Sequence, residues 1–517
     1  MGVIGKQSIR STLITYIGFA IGAINMLFVM PEVFTKEQFG LIQVFISFAI
    51  QAVTIGSMGM VVVTNKFMPY YKSLLPPGKR DLLTIALVTG TMGMILVLMV
   101  AFLNDDLIIR KLNKNSPLFI EYMYLFPLFA AGYFYSYMLD SFNINYGFNV
   151  WGSFVREIFY RLFNLVAAAV FAFGLLDFSG VINLYMVIYW AGALMLGMNL
   201  YFHGLFKIPF RISNLTRRIW DKMARYSLSS WGAGILSTTL QFIETLAIAG
   251  LIGLGSAAVY SIARFLISPV IIPSNSVLTV SLPVISDSWR RHDIRNIEAI
   301  YKKSALILVS IGGFLFFLIT SCTFNVLQII PQDFFGSDQS LITQAFWVVV
   351  ILGTARMIDF STSVNSHILQ TSRKYFRTDL IINLISVVLS IPLNYFLIQG
   401  YGIIGAALAY LFLSLFANSF KAIILYLREG LHPFSPKWPL LVFYLFIMGS
   451  LTTAMIFADN VYFGFVEKSF LSIVLLIVAK SVVLCAAFVV INFRFSISED
   501  LNGSIRKLFS KIRILLP

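Results

Sequence analysis

Residues 82–102 read LLTIALVTGTMGMILVLMVAF, a run without a single ionisable side chain. At about 1.5 Å per residue a helix of this length reaches roughly 30 Å, the thickness of a bilayer's hydrocarbon core, and it satisfies its backbone donors and acceptors internally. The stretch is therefore predicted to cross a membrane. Outward from it, similar apolar windows recur to both ends of the chain. Of its 517 residues 58% are hydrophobic and 12% charged, against about 25% charged in a usual soluble domain, and no stretch is left over to form one. The fold class is an all-α polytopic membrane protein with about fourteen transmembrane helices.

The expected helices run over 11–33, 39–63, 82–102, 118–141, 155–175 and 181–203, then 228–252, 257–284, 305–325, 342–367, 379–397 and 402–427, and last 440–457 and 470–492. This gives a first six-helix half (1–203), a basic linker (204–227), a second half (228–427), helices thirteen and fourteen (428–493) and a basic tail (494–517). The net charge of +15 does not point to nucleic acid, because the cations sit in short loops rather than on one folded polar surface. They alternate from loop to loop. One side takes Lys6, Arg10, Lys66, Lys72, Lys79, Arg80, the linker, Arg290, Arg291, Arg373, Lys374, Arg377, Arg428, Lys437 and the tail; the other takes only Lys36, Arg110, Lys111, Lys114 and Lys468. By the positive-inside rule both termini are expected in the cytoplasm. In the tail, Ile505, Leu508, Phe509, Ile512 and Leu515 have the spacing of an interfacial helix. Cys322 and Cys485 lack metal-ligand spacing. The N-terminal apolar run has no small-residue cleavage site, so the first helix is expected to stay in the mature protein.

An offset of 219 lays Asp140 on Asp359, Asn164 on Asn383 and Asn25 on Glu244, and an offset of 220 lays Phe39-Gly40 on Val259-Tyr260. The common shift suggests two pseudo-symmetric six-helix halves in the same orientation, and paired halves with a cleft between them suit alternating access.

The segment Pro392-Leu-Asn-Tyr-Phe-Leu-Ile-Gln-Gly-Tyr-Gly-Ile-Ile-Gly-Ala-Ala-Leu-Ala-Tyr410 resembles a helix hairpin of the Wzx-like polysaccharide flippases, a branch of the multidrug/oligosaccharidyl-lipid/polysaccharide (MOP) exporter superfamily. The turns Val33-Phe-Thr-Lys-Glu-Gln-Phe-Gly40 and Leu254-Gly-Ser-Ala-Ala-Val-Tyr-Ser261 resemble the same family. The resemblance implies a protein that flips an undecaprenyl-pyrophosphate-linked oligosaccharide across a bacterial inner membrane, needs no cofactor and works beside membrane lipids and polysaccharide assembly proteins.

Ionisable residues inside the apolar core cost several kcal/mol each, which makes the few present the candidate sites. Glu244 and Arg264 fall at similar depth on adjacent helices and suit an ion pair; Arg356 and Asp359 share a helix face. Arg264 and Arg356 are the first candidates for a substrate diphosphate, because a guanidinium fork matches two oxygens at once. Arg156, Glu157 and Arg161 begin the fifth helix, where snorkelling to the interface is an alternative account, as it is for Lys421 and Lys480. Asp140 has no arginine in the position that Arg356 takes beside Asp359. Pro127, Pro269, Pro273 and Pro392 are candidate bending points. The aromatic residues, mostly Phe, are expected to pack and to face lipid. The competing reading is a cation-coupled exporter of small drugs or metabolites, with Asp140 and Asp359 binding the coupling ion. An enzyme is not expected, because the outer loops are short and the longest, around Asp105 and Asp106, carries no paired acid and base.

Overall fold

A computed structural model describes residues 3–104, 106, 109, 114–209, 211–335, 340–372, 374–463, 470–495 and 502, with side chains from residue 13 onward except at 276, 279, 332 and 460–463. The side chains of Lys6 and Arg10, residues Asp105, Arg110, Lys111, Arg373 and Lys468, and the tail from 496 apart from residue 502, with every position of its expected interfacial helix, lie outside the described residues.

The described residues are helical throughout, with no strand. In chain order we number α1 (Val3–Ile24), α2 (Lys36–Gly56), α3 (Met60–Leu74), α4 (Leu82–Leu103), α5 (Phe126–Tyr146), α6 (Tyr160–Ala172), α7 (Phe178–Phe202), α8 (Asn214–Leu251), α9 (Leu254–Ile267), α10 (Ile272–Arg290), α11 (Ile294–Ile329), α12 (Ser340–Thr362), α13 (Asn365–Thr371), α14 (Phe376–Glu429), α15 (Trp438–Phe463) and α16 (Phe470–Phe495). Among the described residues twelve helical stretches are long and apolar enough to cross a membrane, which makes the chain a multi-pass membrane protein. The expected count of about fourteen differs from twelve at two places. The fifth segment is interrupted by a π-helical turn, Phe154–Phe159, ahead of α6, and the 54-residue α14 folds at Gly402.

Gly402 has φ 60° and ψ −138°, a conformation that side chains with a Cβ avoid. Three residues on, a Cβ at Gly405 would fall 1.9 Å from the carbonyl oxygen of Leu397, so the two arms of the hairpin touch backbone to backbone. The glycines of the 392–410 motif are thus explained by folding. The turn before α2 has its own reason. Thr35 caps α2 through the Gln38 amide while the Gln38 side chain answers the Thr35 amide, a reciprocal cap that satisfies two orphan donors. Gly40 then packs on the Leu254 carbonyl, 2.0 Å from where its Cβ would lie.

Two helices start well before their apolar windows. α8 has 38 residues and absorbs half of the expected linker; Ser213 caps it, and the buried Asp81 accepts hydrogen bonds from the Ser213 amide and hydroxyl (2.8 Å each) and from the Thr216 hydroxyl. α11 has 36 residues and starts at Asp293, whose carboxylate accepts from the Asn296 amide at 3.0 Å. Of the four candidate prolines, Pro127 and Pro273 sit in first turns and Pro269 opens a 3₁₀ turn between α9 and α10, where the missing N–H costs nothing. Pro392 is interior to α14.

Backbone contacts divide the chain into two compact units, Met1–Val259 and Tyr260–Pro517. The first has a core around Phe67, Met68, Tyr71, Phe134, Met138 and Phe142, drawn from α3 and α5. The second has a core that includes Ile285, Ile297, Tyr301, Ile368 and Leu425, from α10, α11, α13 and α14.

Candidate functional site

In the first unit the charged residues converge on a pair of irregular turns. The Arg156 Nη1 donates to Asp140 Oδ2 of α5, its Nε lies 3.3 Å from Glu157, and Arg161 Nη2 lies 3.0 Å from the other Glu157 oxygen. Asp140 has no arginine three residues before it on α5, but Arg156 of the π-helical turn ahead of α6 reaches it from the following segment. The snorkelling account of Arg156 gives way for the same reason, although its side chain stays 46% exposed.

This turn seats against α1. A side chain at Gly18 would meet the Glu157 carbonyl at 2.5 Å, and one at Gly22 would meet Arg161 Nε at 3.1 Å, so the small-residue stripe on α1 is what lets the charged turn approach. One turn further, α1 passes into a second π-helical turn, Asn25–Val29. Asn25 is buried, and among the described residues its Oδ1, Arg161 Nη1, Asn164 Oδ1 and Asp140 Oδ1 have no hydrogen-bond partner. π-helical turns are rare and recur at functional sites, where they re-aim side chains.

Beside the Asp140–Arg156 pair stands a tyrosine cluster that the sequence reading did not anticipate. The ring of Tyr189 lies 4.8 Å from that of Tyr133 and 4.7 Å from that of Tyr160, whose hydroxyl bonds Ser136. Tyr137, one turn before Asp140, is about half exposed. The signal available in the sequence was the i,i+4 spacing of Tyr133 with Tyr137 and of Tyr185 with Tyr189.

The second unit repeats the theme at Asp359. Arg356 Nη1 lies 3.1 Å from Asp359 Oδ2, as the shared helix face predicts, and α14 adds the Ser414 hydroxyl (2.5 Å) and the Asn418 amide (2.7 Å) on the other oxygen. The Arg356 guanidinium also faces the Tyr410 ring at 5.1 Å. Glu244, 1% exposed, belongs to the first unit, and Arg264, half-buried on α9, to the second.

The two lysines read as snorkelling are corrected. Lys421 is buried 3.0 Å from Asp379, with Ser366 and Asn383 as further acceptors at 2.9 Å each. Lys480 is buried on Asp459, with Asn325 Oδ1 at 2.7 Å and the Ser321 carbonyl at 2.8 Å. Neutralisation inside the protein competes with reaching for the interface and wins where a carboxylate and further acceptors surround the amine. Outside the spans, hydrogen bonds to Tyr375 and Glu429 hold the Lys374 amine above its usual pKa.

Among the described residues no cluster of His, Cys, Asp and Glu has the geometry of a metal site. No protein-family model matches the chain, and no curated protein sequence matches it. Solved structures do. The lipid II flippase MurJ in an inward closed conformation superposes with a TM-score of 0.65 at 14% identity, over 93% of this chain and 98% of that one. An inward-facing multidrug resistance MATE family transporter of the MOP superfamily gives 0.65 at 13% identity, over 80% of this chain and 94% of that one. A Vibrio cholerae MATE transporter gives 0.55 at 14%, over 82% and 98%. At these identities what is shared is the fold, the MOP-type transporter fold.

Proposed function

We propose that this protein is a transporter that flips an undecaprenyl-pyrophosphate-linked oligosaccharide, the repeat unit of a polysaccharide, across a bacterial inner membrane by alternating access. The observation that carries this reading is the matched pairing in the two units. Asp140 is met by Arg156 and Asp359 by Arg356, so the charge of each carboxylate is answered by a guanidinium rather than left to draw a cation. A planar fork presents several parallel donors, which suits a diphosphate better than a cationic drug. Arg156, Arg356 and Arg264 take the substrate in this reading. Arg161, which lies 3.0 Å from Glu157, and the buried Glu244 join them as substrate contacts in this reading. The tyrosines beside Arg156 offer flat faces with hydroxyl edges to a sugar. The superposition on the lipid flippase extends over 93% of this chain, against 80% and 82% for the two MATE structures. In this reading, which rests on loop charge and on the family resemblance, both termini lie in the cytoplasm and membrane lipids and polysaccharide assembly proteins are the partners.

A second reading has an observation of its own. Among the described residues Asp140 Oδ1 lacks a hydrogen-bond partner, and an open carboxylate oxygen at one of two repeat-related positions would suit the coupling cation of a drug or metabolite exporter, with Asp359 as its counterpart.

The test is translocation of a fluorescent undecaprenyl-pyrophosphate oligosaccharide in proteoliposomes. Wild type should flip the probe, and Arg156→Ala, Arg356→Ala or Arg264→Ala at equal reconstituted protein should lower the rate about tenfold or more, the worth of a charge-assisted hydrogen bond. Arg156→Lys, which keeps the charge and loses the fork, should recover only part. Absence of probe translocation, together with proton- or sodium-driven efflux of an organic cation that Asp140→Asn abolishes, would replace this reading by the second.

A further inference from the structure

Between α2 and α3 the chain breaks at Met58 and Gly59, which have φ of 48° and 73°. α8 braces the break through its carbonyls: the Ser227 hydroxyl donates to the Met58 carbonyl at 2.5 Å and the Trp231 indole to the Ile55 carbonyl at 2.7 Å. Directly beside the break lies a cavity of about 230 Å³, walled by Met60 and Val63 of α3, Ile85 of α4 and Trp220, Leu228 and Trp231 of α8. Its wall is almost wholly apolar. Trp220 and Leu228 are 49% and 65% exposed, so the cavity opens outward from the first unit through a large apolar rim.

The polar end of the same helix is strongly basic. Trp220, Ala224, Ser227, Leu228 and Trp231 share the face of α8 that lines the cavity, and Arg217 stands on that face one turn earlier. Arg218, Lys222 and Arg225 surround it on the same turns, all exposed, with Asp221 the single acid among them. A cavity that admits only hydrocarbon, one helical turn from a cluster of cations, has the polarity of a phospholipid with an anionic headgroup.

We propose that this is a binding site for an anionic phospholipid of the surrounding leaflet, its phosphate on Arg217 and Arg218 and one acyl chain in the cavity beside Met58. The site does not depend on what the protein transports, because none of the residues assigned to substrate line it. A diphosphate lipid shares the chemistry of the headgroup and is separated from phospholipid by the test.

Purified protein in detergent is titrated with dioleoyl phosphatidylglycerol, with dioleoyl phosphatidylcholine, with glycerol phosphate alone and with undecaprenyl phosphate, with thermal unfolding and retained lipid by native mass spectrometry as readouts. Phosphatidylglycerol should raise the unfolding temperature and remain bound, and phosphatidylcholine with the same chains should bind roughly tenfold more weakly. Arg217→Ala with Arg218→Ala should abolish that headgroup preference, and Ala224→Trp, which plugs the cavity, should abolish retention of both phospholipids. Equal binding of the two phospholipids, an equal effect of glycerol phosphate, selective retention of undecaprenyl phosphate, or a headgroup preference that survives in both variants would overturn the proposal. The headgroup comparison on wild type decides the matter even if Ala224→Trp does not fold.

Discussion

Burying a lysine in the hydrocarbon region is tolerable only where its three N–H donors are all met, and Lys480 shows what that takes. Asp459, Asn325 and the Ser321 carbonyl account for all three, so removing either charge strands the other. Asp459→Leu or Lys480→Met alone should cost about 3–5 kcal/mol of stability, while the double variant should recover most of it. Thermal unfolding of the three proteins in the same nanodisc measures the coupling; additive losses would refute it. The numbered positions of such residues were legible in the sequence, but their partners were not. Lys480 and Asp459 stand 21 residues apart along the chain on two different helices, so no helical spacing relates them, whereas Arg356 and Asp359 were paired correctly because three residues on one helix fix their geometry.

At the scale of elements, apolar windows located the helices but not their full extent. α8 and α11 start in polar sequence, and the evidence for those starts was the capping residues Ser213 and Asp293 rather than hydropathy. The π-helical turns at Asn25–Val29 and Phe154–Phe159 have no residue signature at all. They lie where α1 and the fifth segment pack against each other, and nothing in the spacing announced that Arg156 would meet Asp140 there. Two predictions belong here. Thr35→Ala removes one side of the reciprocal cap of α2 and should cost about 1 kcal/mol in unfolding free energy, with Thr35→Ser recovering it. Gly402→Ala forces a Cβ into a backbone conformation that costs on the order of 1–3 kcal/mol; folded yield on size-exclusion chromatography should fall, and unchanged yield and stability would refute the account of the hairpin.

For the whole molecule, orientation rests on loop charge and gives a direct prediction. Alkaline phosphatase fused after residue 103, at an expected outer loop, should be active, and fusions at residue 207 or at the C-terminus inactive, with green fluorescent protein giving the reverse pattern; activity at residue 207 would invert the topology. The sequence by itself determined the class of molecule, because hydrocarbon thickness and the need to satisfy every backbone group leave an apolar chain of this kind one way to fold. It also singled out Asp140 and Asp359 at a common offset, and each of them meets an arginine. Only the tertiary structure decided which charge answers which: Arg156 for Asp140, Asp379 for Lys421, Asp459 for Lys480. Such pairs form between segments whose relative rotation is set by packing, by glycines at close approach and by π-helical turns, and linear spacing carries no record of that rotation.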